Sequence, residues 1–207
     1  MIAKGNLEDV SKLLLTLLAL VAAPASVIAQ GSPGAPPPNA DPLEIDSMAL
    51  RYPQLGFSAP NPGPGFTTAT DVQEMYDKII AEAGGKGKMF YWALGRPGTR
   101  ELIIIQAINN GSLGRDEEGL RKFATGMRSR LPPGSRVVED TLTWTPRAHE
   151  YRYAILHPNG LFMKWRCVAS GPTRERPLVV CATTMSPDST SLDAFRRGLI
   201  LDPGPNP

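Results

Sequence analysis

The sequence predicts an α+β domain: an antiparallel sheet of about six strands, flanked by helices as an α/β/α sandwich. Three observations predict it. Alternating apolar and polar residues, separated by turn residues, recur through the last third of the chain. The run from Leu102 to Ile108 is nearly continuous in apolar residues, as in a strand buried on both faces. Several segments carry the apolar stripe of an amphipathic helix.

The stretch from His149 to Met185 organises the prediction, because it reads as three antiparallel strands with two turns. Folding back over residues 170–177 with Cys167 opposite Cys181 aligns two largely apolar faces, and a slip of one residue would separate them. Directly opposed strand residues have Cα atoms about 4.5 to 5.5 Å apart, within the range of a disulfide. We therefore expect a Cys167–Cys181 disulfide; the alternative is two buried free thiols.

The turn at residues 157–160 contains Pro-Asn-Gly, which favours a hairpin. This hairpin continues the face that carries the cysteines, which we call the inner face. It opposes three pairs, namely Tyr151 with Cys167, Tyr153 with Trp165, and Ile155 with Met163. The aromatic residues could line a ligand pocket, but their place on this face favours the core.

The remaining elements follow from periodicity and turn signals. Residues 41–50 are expected to form a helical turn or two. Helices are predicted over 70–83 and 115–131, and a closing helix runs through Leu201. Strands are predicted over 52–59, 89–94, 101–109 and 136–145, with Val138, Leu142 and Trp144 of the last one facing inward.

The two ends of the chain predict export and flexibility. Residues 1–29 resemble a signal peptide, with an apolar run from Leu13 to Ala23 and a small-residue cleavage pattern before Gln30; an uncleaved membrane anchor is the alternative. Residues 30–50 form a tether rich in proline and glycine, 51–201 a single domain, and 202–207 a disordered tail. A periplasmic or secreted location follows.

Composition excludes several classes of function. The net charge of +2 implies no nucleic acid or other polyanionic partner. With two cysteines and two histidines, the chain lacks the spacing of a zinc site, and we expect no metal and no cofactor. A membrane is a partner only if the N-terminal segment stays uncleaved.

The sequence contains no recognised catalytic motif. His149 and His157 are the candidate imidazole bases, but neither has a serine or cysteine nearby in a known nucleophile motif. Glu139 and Asp140 are adjacent, so they point to opposite faces of a strand and cannot act together as an acid and a base. We expect no catalytic residue.

A cluster of basic residues lies on the opposite, outer face of the predicted sheet: Arg152, Lys164 and Arg166. The register places Arg152 opposite Arg166, and like charges so placed repel each other. An anionic ligand or an acidic partner would relieve this repulsion. Alternatively, Glu150, Glu175 or an acid on a helix neutralises the cluster, or the arginines lie flat over apolar surface.

The order of elements is similar to the PsbP-like and LpqN-like α/β/α sandwich. The resemblance covers Tyr52 to Leu201 and is strongest in the hairpin from Tyr151 to Trp165, the strand from Leu178 to Thr184 and the helix from Leu192 to Leu199. Members of that group resemble binding and assembly factors more than enzymes, and no catalytic motif carries over.

Three functions are therefore weighed. The first is an exported, non-enzymatic binding or assembly domain that holds an envelope protein or a small anionic ligand. The second is a small envelope hydrolase that uses His149 or His157, and the third is a structural envelope module whose tether sets spacing.

Overall fold

A computed structural model describes residues 44–45, 49–52, 55–82, 89–96, 98–99, 101–109, 113–129, 131–174, 177–186, 188 and 190–201. The predicted signal peptide, most of the predicted tether and the C-terminal tail lie outside these residues. Along the chain, the elements are β1 (Glu44–Ile45), β2 (Ala49–Tyr52), β3 (Phe57–Pro60), β4 (Thr67–Thr68), α1 (Thr70–Glu82), β5 (Met89–Gly95), β6 (Leu102–Ile108), α2 (Glu117–Arg128), β7 (Arg136–Thr145), β8 (Ala148–Leu156), β9 (Phe162–Ala169), β10 (Val179–Thr184), α3 (Thr190–Gly198) and β11 (Ile200–Leu201).

The predicted α+β class is confirmed, and the main sheet has seven antiparallel strands in the order β4-β5-β6-β10-β9-β8-β7. A small sheet has the order β1-β2-β3-β11. No helix among the described residues is long and apolar enough to cross a membrane.

The register of the last three long strands is confirmed residue by residue. Cys167 lies opposite Cys181 in the β9–β10 pair, and Tyr153 lies opposite Trp165 in the β8–β9 pair. Both follow from period-two alternation, because only this register brings the apolar faces together. The sulfur atoms of Cys167 and Cys181 are 2.07 Å apart, so the predicted disulfide is present.

Both faces of the central strands β6 and β10 are buried, as the apolar run of β6 predicts. On the inner face, Tyr76 of α1 and Leu120, Phe123 and Met127 of α2 pack over the cysteines and the aromatic residues of β8 and β9. On the outer face, the small sheet and α3 cover the other side of β5, β6 and β10, where Phe57 and Phe195 are almost fully buried. Tyr151, Tyr153 and Trp165 are therefore core residues.

The small sheet corrects two predictions. The expected helical turn in residues 41–50 is wrong, because β1 and the start of β2 occupy this range. The closing helix does not run through Leu201; α3 ends at Gly198, and Ile200 and Leu201 pair with β3. A Cβ atom at Gly198 would lie 2.5 Å from the ring of Pro60, so the end of α3 requires glycine where it meets β3.

The prediction that Val138 faces inward is also wrong. The β7–β8 register shifts between Val137 and Glu139, as in a β-bulge, and Val138 is 51% exposed. Beyond the bulge the alternation resumes, and Leu142 and Trp144 pack against the inner core as predicted. The extra residue in the strand explains why only the first inward residue was misplaced.

A buried arginine joins the small sheet to the main sheet. Arg174, in the connection between β9 and β10, donates hydrogen bonds to the backbone carbonyls of Leu55 and Gly56. Arg174 is 8% exposed. These bonds satisfy two backbone acceptors of buried residues, and they join the start of β3 to the connection between β9 and β10.

The disulfide is expected to stabilise the fold by restricting the unfolded chain. Replacing both Cys167 and Cys181 with alanine should lower the free energy of unfolding by about 3 kcal/mol. The bond joins residues 14 positions apart, and closing a loop of this length in the unfolded chain stabilises a fold by about that amount. Denaturant unfolding measures the difference, and the unsubstituted chain in reducing buffer is the control. Equal stability of the oxidised and reduced chains would contradict the expectation.

Candidate functional site

The outer face of β7, β8 and β9 carries a network of charged side chains. We define this charged network as Glu139, Glu150, Arg152, Lys164, Arg166, Asp193 and Arg196. Period-two alternation places Glu139, Glu150, Arg152, Lys164 and Arg166 on the sheet face opposite the cysteines. Asp193 and Arg196 come from α3, which packs its apolar residues Leu192 and Phe195 into the outer core.

Arg166 is the buried centre of this network. Its Nη1 atom lies 2.9 Å from Oε2 of Glu139, and its Nε atom lies 3.0 Å from Oδ1 of Asp193. The side chain is 8% exposed. Two carboxylates, one from β7 and one from α3, therefore neutralise Arg166, as the alternative of an acid on a helix predicts.

Glu150 is the buried acid of the network. One carboxylate oxygen pairs with Arg196 of α3, and the other lies 3.4 Å from Nη2 of Arg152. Burial lowers the pKa of Arg196. A buried carboxylate is tolerated when opposite charges compensate it, so Glu150 fixes α3 against β8 much as Arg166 fixes it against β9.

Arg152 lies directly opposite Arg166, as the sequence predicts, but in a different environment. Its side chain is 50% exposed, and its ion pair with Glu150 is the long one of the network. Lys164, two residues before Arg166, is half-buried. The exposed Thr141 of β7 lies opposite Arg152. Of the three predicted binding residues, Arg152 is thus the most accessible and Arg166 the least.

Glu139 and Asp140 point to opposite faces, as predicted. Glu139 binds Arg166 on the outer face, whereas Asp140 binds Arg128 of α2, with Arg128 Nε 2.6 Å from Asp140 Oδ2. The hydrogen bond from Arg128 to Asp140 raises the pKa of Arg128. Asp140 therefore joins the long edge strand β7 to α2, whereas Glu139 joins it to β9 across the outer face of the same sheet.

The two histidines lie apart from this network. The ring of His149 is 4.0 Å from the ring of Trp144, between centroids, and packs against Gly171, where a Cβ atom would lie 2.4 Å from it. His157 Nδ1 lies 2.8 Å from Asn159 Oδ1 within the exposed turn. Neither contact is one of a general base with a nucleophile. No group of three or more His, Cys, Asp or Glu residues that could hold a metal ion occurs in the described part of the chain.

Sequence reasoning missed the contribution of α3 to the site. Asp193 and Arg196 lie on a helix that the sequence predicts, and their spacing of three residues places them on one side of it. Their pairing with Glu150 and Arg166 depends on which sheet face α3 covers. Periodicity alone does not reveal this.

No family model matches the chain, and no curated protein matches it. Two solved structures are similar in fold. A chain from Bacteroides thetaiotaomicron VPI-5482 has 12% identity and a TM-score of 0.40, over 76% of this chain and 49% of that one, so this chain spans about half the length of that structure. The Ran-binding protein Mog1p of Saccharomyces cerevisiae has 8% identity and a TM-score of 0.45, over 76% of this chain and 96% of that one. These likenesses reach no further than the fold.

The two opposed arginines should differ sharply in their effect on stability. Replacing Arg166 with methionine leaves Glu139 and Asp193 without their shared cation, and should lower the free energy of unfolding by about 2 kcal/mol. Replacing Arg152 with methionine should change it by less than about 0.5 kcal/mol, because exposed ion pairs contribute little. Chemical denaturation of both variants tests this. Equal decreases in the free energy of unfolding would show that the buried ion pairs of Arg166 stabilise the fold no more than the exposed pair of Arg152 does.

Alkaline pH should unfold the protein through its buried tyrosines. Burial raises the pKa of Tyr153 from 10.0 to about 12, and burial likewise raises the pKa of Tyr76, Tyr91 and Tyr151. A raised pKa means that the folded state holds the phenolic proton more tightly than the unfolded state. The contribution of these tyrosines to the free energy of unfolding is therefore fully present below pH 10, and it is lost as the pH rises toward about 12.

The measurement is thermal denaturation across this pH range, together with tyrosinate absorbance. We expect most of the five tyrosines to ionise only as the fold is lost. Ionisation of all five near pH 10 in the folded protein would contradict the expectation.

Proposed function

We propose that the chain is an exported, non-enzymatic binding or assembly domain of the cell envelope. Its outer face, at Arg152 and Lys164, would bind an acidic segment of a partner protein or a small anionic ligand. The single observation that carries the proposal is the position of Arg152, whose half-exposed side chain lies on β8 at the margin of the charged network.

The remaining residues of the network support this role by holding Arg152 in place. Arg166 and Glu150 lock α3 onto the sheet through ion pairs on both sides of Arg152. A cation held by rigid elements loses little conformational entropy when it binds an anion. The network has four bases and three acids, so its charge favours an anionic partner.

Arg166 takes part in this proposal as a positioning residue. Its guanidinium is already held by two carboxylates, and a ligand that reached it would have to displace one of them. The expected contact residues are therefore Arg152 and Lys164, and the exposed Thr141 of β7 lies beside Arg152 at the same surface.

Export rests on two observations. Residues 1–29 have the features of a signal peptide, and the buried Cys167–Cys181 disulfide is of the kind that persists in oxidising compartments. A periplasmic or secreted location is the proposal that accounts for both. The likeness to PsbP-like and LpqN-like binding and assembly factors remains a prediction from the sequence.

The hydrolase and the purely structural module are the competing proposals. A hydrolase would need His149 or His157 beside a nucleophile in a cleft, whereas these rings contact Trp144 and Asn159. Replacing both histidines with glutamine separates the proposals, because a binding domain should keep its partner and its cellular phenotype. A structural module would keep its role after the surface of Arg152 is altered.

The decisive experiment is photo-crosslinking in the source cell. A photoreactive residue at Thr141 should capture a specific envelope protein, whereas the same residue at the exposed Lys78, on α1, should not. The change Arg152→Glu should reduce capture from position 141 at least about tenfold, because it reverses the charge that faces the partner.

Two results would overturn the proposal. Capture of another protein, and not of a second copy of this chain, from position 141 that is unchanged by Arg152→Glu would remove Arg152 from the site. Equal capture from positions 78 and 141 would show nonspecific contact. Calorimetry with inorganic phosphate and with a polyglutamate peptide tests the two anion classes directly, with Lys78→Glu as the charge-matched control.

A further inference from the structure

The strand β7 forms one edge of the main sheet. It is ten residues long, and among the described strands it is hydrogen-bonded to β8 alone. Alternate residues along such an edge direct their backbone N–H and C=O groups away from the sheet. An edge of this kind can accept another strand unless something blocks it.

The opposite edge of the sheet is blocked. The short strand β4 pairs with the end of β5, and the side-chain amide of Gln73 then takes the place of a further peptide group. Its Nε2 atom donates to the carbonyl of Tyr91 at 2.9 Å, and its Oε1 atom accepts from the N–H of Ala93 at 2.9 Å. The carbonyl of Tyr91 and the N–H of Ala93 on the β5 edge are thus satisfied by the same chain.

The β7 edge has a regular segment between two interruptions. The bulge at Val138 disturbs one end, and the turn at Pro146 and Arg147 closes the other. Between them, residues 141–145 read Thr-Leu-Thr-Trp-Thr and carry no charge. Charged residues are a common device against edge pairing, and this segment lacks them.

We propose that this segment pairs antiparallel with the same segment of a second copy of the chain, about a two-fold axis at Thr143. From Thr143, each direction along the strand gives an apolar residue and then a threonine: Leu142 and Thr141 on one side, Trp144 and Thr145 on the other. Antiparallel pairing about this residue places Thr143 opposite itself, Thr141 opposite Thr145, and Leu142 opposite Trp144. Threonine pairs and apolar pairs directly opposite each other stabilise sheets.

The flanking residues complement one another in the same register. The exposed Arg147 of one copy comes to the end of the strand near Glu139 of the other, so opposite charges approach. Val137 and Val138 are 39% and 51% exposed, and they would lie beside the hairpin turn of the second copy. A strand from an unrelated protein would need no such symmetry, which favours a second copy as the occupant.

Cysteine crosslinking tests the register. In the proposed dimer the two Thr143 Cα atoms lie about 5 Å apart, within reach of a disulfide. Two copies of Thr141 are offset by four residues, which is about 13 Å along the strand. Under mild oxidation Thr143→Cys should therefore crosslink at least about tenfold faster than Thr141→Cys. A mixture of Thr141→Cys and Thr145→Cys chains should crosslink to each other.

Analytical ultracentrifugation of the unsubstituted chain provides the second measurement, which does not depend on any variant folding. A dimer fraction that rises with concentration is expected. A monomer at all accessible concentrations overturns the proposal, and so does crosslinking that is equally fast at positions 141 and 143. A chain that stays monomeric but binds a peptide of alternating threonine and leucine would also overturn it, because the edge would then serve another protein.

Discussion

The register between β9 and β10 is the constraint on which the rest of the structure depends. Because side chains alternate with period two, the choice of Cys167 opposite Cys181 fixes which side chains of both strands enter each of the two cores. Every residue of β10 is buried, and its alternate side chains pack into the two cores. The disulfide maintains this register, and β6, β8 and β7 then inherit theirs from it through the neighbouring pairs.

This constraint also explains why two arginines lie opposite each other. The aromatic and sulfur-containing residues of β8 and β9 lie on the inner face, so Arg152 and Arg166 share the outer face. The carboxylates of Glu139 on β7 and Asp193 on α3 bind Arg166, whereas Glu150 on β8 reaches Arg152 only at 3.4 Å. The asymmetry between the two arginines follows from the position of α3, and it leaves one anchored cation at the surface.

The sequence was sufficient for the long elements of the fold. Helices α1 and α2, the strands from β5 to β10 and the cysteine pairing follow from periodicity and turn residues, because each element buries a continuous face. Three features did not follow. The bulge at Val138 breaks the alternation from which it would have to be recognised, and the small sheet is built from short strands that pair β11 with the distant β3. The acids and bases of α3 join the site only through tertiary packing.

The two edges of the sheet show how the same sheet can be closed on one side and open on the other. At β5 a helix residue, Gln73, supplies an amide that substitutes for a missing strand. At β7 the corresponding helix, α2, contributes the Arg128–Asp140 ion pair, which involves a side chain of the strand and not its backbone. An unpaired strand edge is stabilised by any strand that fits it. Because the β5 edge is covered and the β7 edge is regular, a further strand can be added to the main sheet at β7 and not at β5. An assembly through β7 would therefore stop at two copies, because among the described strands β7 is the open edge of the main sheet and the two-fold pairing uses it in both copies.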